Sequence, residues 1–263
     1  MIQHAIRLIR RQVRVQLQMR IFNLYSVALY FIQPAIFSAV GMILSRAAGN
    51  ERPDLVYTVI GSGMLGMWSG LVFSSLYDIR ADRRDGTLEL IVASPTSLGT
   101  VEAIRTFANV LAGLVSMLAA FLAAVSVFNY SFIGVSLPAV LMSLIMILVG
   151  MWAIGVFLAN FTVWSRLSGM YVEFLEIPVA ILCGFMYPIR ILPGWMQAIS
   201  TAIPIRWGLQ ALDAALSGKP DPGFLLGHWG MTLLLSLLFW VATRWLEGRV
   251  HDRIRVTGEM SSI

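Results

Sequence analysis

Glu173 and Glu176 interrupt an otherwise apolar stretch, residues 167–188, and are the acids of this chain whose spacing could do chemistry. Three positions apart, they share one face of a helix. At about 1.5 Å of rise per residue from residue 167, they lie roughly 10 to 14 Å into that helix. Ionisable groups at such depth turn toward a bundle interior or a wet cavity. The pair could line a path for a cationic or amphiphilic substrate, or hold a proton or cation. It could equally be neutralised by an arginine at the membrane rim such as Arg166.

Other chemistry is sparse. The single lysine, Lys219, stands between Gly218 and Pro220, so no G-x-x-x-x-G-K-[ST] phosphate loop exists in this chain. If nucleotide hydrolysis drives it, another polypeptide binds the nucleotide. His4, His228 and His251 are far apart and Cys183 is alone, so the expectation is no metal site and no disulfide. Ser69 and His228 are a conceivable intramembrane hydrolase pair but lack a nucleophile motif. No residue is assigned a catalytic role, and no cofactor is expected on this chain.

What must position these residues is a membrane. Of 263 residues, 58% are hydrophobic and 13% charged, and the mean hydropathy is +0.78. No soluble domain of this length could cover that composition with polar surface. Residues 21–45, 55–77, 106–165 and 222–243 contain no Asp, Glu, Lys or Arg. Each run exceeds the roughly 20 residues a helix needs to cross a core of about 30 Å. The third is long enough for two spans and breaks at Asn129-Tyr130-Ser131 and between Gly134 and Pro138. With the acid-bearing stretch 167–188 as a further span, the expectation is an all-α integral membrane protein of six transmembrane helices.

Six spans put both termini on one side. Fourteen of the nineteen Lys and Arg residues fall on that face, which is therefore cytoplasmic. The net charge of +5 reflects this rim, which anionic headgroups attract, and not a nucleic-acid surface. Within the first twenty residues, Ile2, Ile6, Ile9, Val13 and Leu17 recur at helical spacing among five arginines. That pattern predicts an amphipathic helix in the cytoplasmic interface, not a signal peptide. Ser62, Gly66 and Gly70 form a small-residue stripe suited to close packing, within the chain or at a subunit interface. Residues 187–223 are too apolar for an ordinary loop. Pro188, Pro193 and Pro204 divide them into short pieces, roughly 194–202 and 205–217, each able to bury one face.

Between spans two and three, residues 80–95 carry eight charged or hydroxyl side chains. After Asp85-Gly86 the pattern becomes helical and stops at Pro95, with Leu88, Ile91 and Val92 on one face. Such a helix fits a groove on a cytosolic partner. A solvated loop that only holds topology fits the same residues.

Arg83-Arg84-Asp85-Gly86-Thr87-Leu88-Glu89-Leu90 followed by Ser94-Pro95 resembles the stretch after the second span of ABC-2 type permeases, the membrane subunits of bacterial ABC exporters. Gly184, Tyr187, Pro188, Leu192 and Pro193 resemble the family's Gly-x-x-Tyr-Pro-x-x-x-Leu-Pro sequence, and Pro204 and Gly218 match as well. The resemblance implies a coupling helix at Gly86 to Ala93 docking on a separate P-loop subunit, with Arg83, Arg84, Asp85, Gly86, Thr87, Leu88, Glu89, Ile91 and Val92 at the contact. It implies re-entrant helices over Tyr187 to Ser217 near the extracellular exit, where Tyr187, Pro188, Pro193, Trp195 and Pro204 are gate candidates. It also implies two permease chains, identical or paralogous, over two nucleotide-binding subunits that hold ATP and Mg.

The sequence thus reads as one ABC-2 type transmembrane domain over residues 1–263 in the bacterial plasma membrane. Its parts are an interfacial helix at 1–20, a coupling loop at 78–98, a re-entrant segment at 187–223 and a cytoplasmic tail at 248–263. The expected function is ATP-driven export of an amphiphilic substrate such as a drug, lipid or natural product. Two rivals stand beside it. One is an ATP-independent secondary transporter or channel with Glu173 and Glu176 as a cation or proton site, although no inverted repeat is evident. The other is a non-transporting subunit that senses a ligand and signals through the loop.

Overall fold

Turn chemistry sets the ends of the helices. The computed structural model describes residues 32–47, 60–87, 98–128, 136–165, 174, 176–216 and 221–257, which are helical and contain no strand. In chain order these are α1 (Gln33–Ala47), α2 (Gly61–Arg84), α3 (Leu98–Phe128), α4 (Leu137–Ser165), α5 (Glu176–Cys183), a 3-10 turn (Ile189–Ile191), α6 (Gly194–Ser200), α7 (Pro204–Leu216) and α8 (Pro222–Thr257). At the start of α8, the Asp221 side chain accepts the Gly223 N–H at 3.1 Å and its carbonyl accepts that of Leu225 at 3.1 Å. Pro222 occupies the first helical position, where its missing N–H costs nothing.

Gly184 ends α5. Its N–H reaches the Ile181 carbonyl at 3.1 Å and the Phe185 N–H reaches that of Ala180 at 3.4 Å. This paired closure needs a left-handed residue, and Gly184 has φ +68°. A Cβ there would lie 2.6 Å from Ile189 Cγ1 and 2.8 Å from the Tyr187 carbonyl.

Among the described residues, three helices are long and apolar enough to cross a membrane, through Gly99–Leu118, Leu137–Thr162 and Pro222–Arg249. The break expected near 129–138 falls between the end of α3 and the start of α4. The core forms where α2 meets α4 and α7, with Met64, Met67, Trp68 and Leu71 against Ile147, Met151, Ile205 and Leu209. The stripe of Ser62, Gly66 and Gly70 is buried within the chain, so its small residues serve packing inside one subunit. Close backbone approach recurs beside it. A Cβ on Gly113 of α3 would sit 2.1 Å from Met67 Cγ, and one on Gly61 would sit 1.6 Å from the carbonyl oxygen of Phe185.

Two boundaries differ from expectation. Residues 78–84 remain helical and α3 begins at Leu98, so the connection expected over 78–98 shortens to 85–97. The pieces expected at 194–202 and 205–217 are α6 and α7, each within two residues of its forecast end. In α7 the stripe Ile205, Gly208, Leu209, Leu212 and Ala215 is buried, mainly against α4 and α8. That accounts for the apolar character of a segment too greasy for a free loop. The N-terminal helix expected at 1–20, Glu173, and residues 88–93 lie outside the described residues.

Candidate functional site

The root of the connection between α2 and α3 is tied by an ion cluster. Asp82, in the last turn of α2, faces Arg105 of α3, with Nη1 2.5 Å from Oδ2 and Nη2 3.4 Å from Oδ1. The same Nη1 lies 3.0 Å from Glu102 Oε1. Thr87 Oγ1 donates to Asp82 Oδ1 at 2.9 Å and closes the near side. The Arg105 and Asp82 side chains are 17% and 13% exposed and that of Glu102 is 2% exposed, so water screens these charges weakly. Arg84 and Asp85 differ, at 70% and 57% exposed and 3.2 Å apart. An exposed pair of that kind adds little stability and leaves both groups accessible from solvent. Gly86 takes φ +67° at the turn off α2, with open space where a Cβ would stand. Arg83 lies in the last turn of α2. Leu88, Glu89, Ile91 and Val92 lie outside the described residues.

A second polar cluster joins α1, α2 and α5. Gln33 Nε2 donates to Ser69 Oγ at 3.3 Å, and the Ser69 hydroxyl donates to Glu176 Oε1. The Trp68 indole N–H donates to the Glu176 carbonyl at 3.1 Å. The Gln33 amide and the Ser69 hydroxyl thus form a donor relay that ends on the Glu176 carboxylate, while Trp68 fixes its backbone. Glu176 also stands in the first turn of α5. The structure therefore gives Glu176 a hydroxyl and an amide relay as neighbours. Ser69 and His228 do not meet: the His228 ring stacks on Phe224, with centroids 3.8 Å apart, and leans on Trp207 at 5.2 Å.

In the segment 187–223, the Tyr187 hydroxyl donates to the Ile181 carbonyl at 3.1 Å. Pro188 precedes the 3-10 turn and Pro193 precedes α6, its carbonyl accepting from Met196 and Gln197 at 2.9 and 3.1 Å. Trp195 is 66% exposed. Pro204 opens α7, buried, and its carbonyl accepts from Thr232 Oγ1 of α8 at 3.4 Å. The prolines thus act as helix starts that fold the segment back on the bundle.

The sequence alone did not single out Asp82, Glu102 or Gln33 as functional partners, and it set Ser69 beside His228 and not Glu176. Arg105 was counted only among the charges that set topology. A usable signal existed for Glu102, an acid in the first turns of a span beside an arginine, and for Gln33 and Ser69, polar side chains inside apolar runs. The partners, 23 and 107 positions apart, are visible only after folding.

Residues 4–216 fit the family described as ABC-2 type transporter. No curated protein matches the chain.

Proposed function

The chain belongs to the ABC-2 type transporter family, a permease of a kind that works with an ATP-binding subunit, and from that premise we propose how it is driven and what it moves. It exports an amphiphilic substrate from a bacterial cell, powered by separate P-loop subunits that hold ATP and Mg. Six spans cross the plasma membrane with both termini in the cytoplasm. Residues 1–20 lie along the inner interface, and residues 187–223 dip back into the membrane from outside. The loop 85–97 carries the coupling helix, with Arg84, Asp85 and Glu89 toward the ATPase. Two permease chains pair over two ATPases.

The observation that carries this reading is the Asp82–Arg105–Glu102 cluster. A push on a slack loop would be lost in bending the loop. Here the two ends are tied to each other by one largely buried ion cluster, so a force on the loop moves α2 and α3 together. Helix α2 passes that motion on: its far end touches Phe185 at Gly61, and its middle holds Glu176 through Trp68 and Ser69. Closure of the ATPase dimer would thus tilt the α2–α3 pair and shift α5 with the turn after it.

The test is ATP-dependent uptake of a fluorescent amphiphile by inside-out proteoliposomes containing permease and ATPase. Uptake that requires both subunits supports the reading. Gradient-driven flux through the permease alone sinks it and favours the carrier reading with Glu173 and Glu176.

The Gln33–Ser69–Glu176 relay favours one refinement. Glu176 borders the substrate path and selects cationic amphiphiles, because its carboxylate is part-buried and held on one side by the Ser69 hydroxyl, itself held by Gln33. Transport of cationic substrates unchanged in Glu176→Gln would refute this.

A further inference from the structure

A groove of about 370 Å³ lies between the first turns of α3, the middle of α4 and the last part of α8. Its walls are almost wholly apolar and include Ala103, Ile104, Phe107, Trp152, Val156 and Trp240, with Arg244 and Glu247 at one end. The volume falls within the roughly 300–1,000 Å³ of small-molecule sites. Phe107 and Trp240 stand 41% exposed at its rim, so it opens sideways from the bundle. Trp152 is fixed, with its indole N–H on the Ala103 carbonyl at 2.9 Å and its ring edge-on to Phe107 at 5.9 Å. The groove is preformed.

Its depth identifies the surroundings. Counting from Pro222 at about 1.5 Å per residue, Trp240 lies about 27 Å and Arg244 about 33 Å along α8. A hydrocarbon core is about 30 Å thick, so the apolar part sits in the acyl region and Arg244 at the headgroups. The Arg244 guanidinium rests on the Trp240 ring at 4.7 Å, is half-exposed, and pairs through Nη1 with Glu247 at 3.0 Å. Glu247 packs against Gly99, where a Cβ would come within 1.7 Å of its Oε1, so its carboxylate is held at the positive end of α3. Arg249, the next cation, lies over Trp245 at 4.1 Å. An arginine held on an aromatic face, with further N–H donors beyond that ion pair, suits a phosphate.

We propose that this groove binds one phospholipid of the cytoplasmic leaflet, with an acyl chain between Trp152 and Trp240 and its phosphodiester on Arg244. The site lies outside the Gln33–Ser69–Glu176 cluster and needs no ATPase, so its failure and that of the transport reading are separable. A lipid wedged there would hold α8 against α3 beside the coupling loop.

Native mass spectrometry of the full chain, titrated with phosphatidylglycerol and separately with diacylglycerol, tests it. Wild type is expected to keep one phosphatidylglycerol per chain and to bind diacylglycerol at least tenfold more weakly. Ala103→Trp and Thr100→Trp fill the groove and lose the adduct. Arg244→Gln weakens it about tenfold, Arg244→Lys restores most of it, and Leu238→Trp on the outer face of α8 changes nothing. If Ala103→Trp fails to fold, Thr100→Trp at the exposed mouth carries the same test. Equal lipid retention in the filled variants or in Arg244→Gln overturns the proposal. So does a wild-type chain without lipid, which would assign the groove to another segment or a protein partner.

Discussion

Arg105 bridges two acids on two helices, Asp82 of α2 at 2.5 Å and Glu102 of its own helix at 3.0 Å. One cation therefore holds together a site that would otherwise repel itself. Removing one member of a largely buried ion cluster typically costs about 3–5 kcal/mol. Arg105→Ala is expected to lower the unfolding temperature in detergent and abolish ATP-driven transport. Arg105→Lys should recover stability in part, because a single ammonium cannot meet both Asp82 oxygens as the Nη1 and Nη2 of the guanidinium do. Equal transport in Arg105→Ala and wild type would dismiss the cluster as a force path.

Three glycines should rank in a fixed order. Gly61→Ala drives a methyl into the Phe185 carbonyl at 1.6 Å, and the contact is backbone, so the fold must give way. Loss of folded protein is expected. Gly184→Ala meets both left-handed φ and side-chain crowding, and is also severe. Gly86→Ala has open space around it and bears only the left-handed cost of about 1–2 kcal/mol. Folded yield by size-exclusion chromatography gives the order, and a Gly61→Ala yield equal to that of Gly86→Ala would contradict it.

Ser69→Ala removes a hydroxyl donor from a carboxylate, a type of hydrogen bond worth about 1.5–3 kcal/mol. A fall in thermal stability is expected, together with weaker handling of cationic substrates. Glu176→Gln keeps an acceptor for Ser69 but removes the charge. It should spare stability more than Ser69→Ala does and affect cationic substrates most. A double-mutant cycle on thermal unfolding checks the pair, and additive effects would deny the contact its energetic weight.

The regular part of the fold was largely legible in the sequence. Charge-free runs and proline positions led to the ends of α3, α4, α6 and α7, because a membrane span needs length and a proline needs a helix start. The last two turns of α2 were not legible. Charged residues 78–84 look like loop to a hydropathy argument, yet they stay helical where Asp82 finds Arg105. The site was legible in type and not in partnership. Glu176 stood out as an acid in oil, but nothing local says that Ser69 and Gln33 face it, since helix packing brings them together. Gly184 was noticed as one letter of a motif, and its physical reason, the closure of α5, appears only in the backbone.

Topology offers an independent check. With Cys183→Ala as background, cysteines at the exposed positions Arg84 and Trp195 should label from opposite sides of intact cells. Trp195→Cys is expected to react with an impermeant maleimide from outside, and Arg84→Cys only after permeabilisation. Labelling of both from one side would overturn the six-span orientation.

The proposed coupling puts the loop after α2 on an ATPase. The most direct measurement is co-purification in mild detergent from the native host, with mass spectrometry scoring stoichiometric P-loop subunits for wild type and Glu89→Arg. An ATPase is expected with wild type and lost from the variant, with both permeases equally folded. An ATPase bound equally to both chains, or to neither under conditions that preserve other ABC complexes, would contradict it.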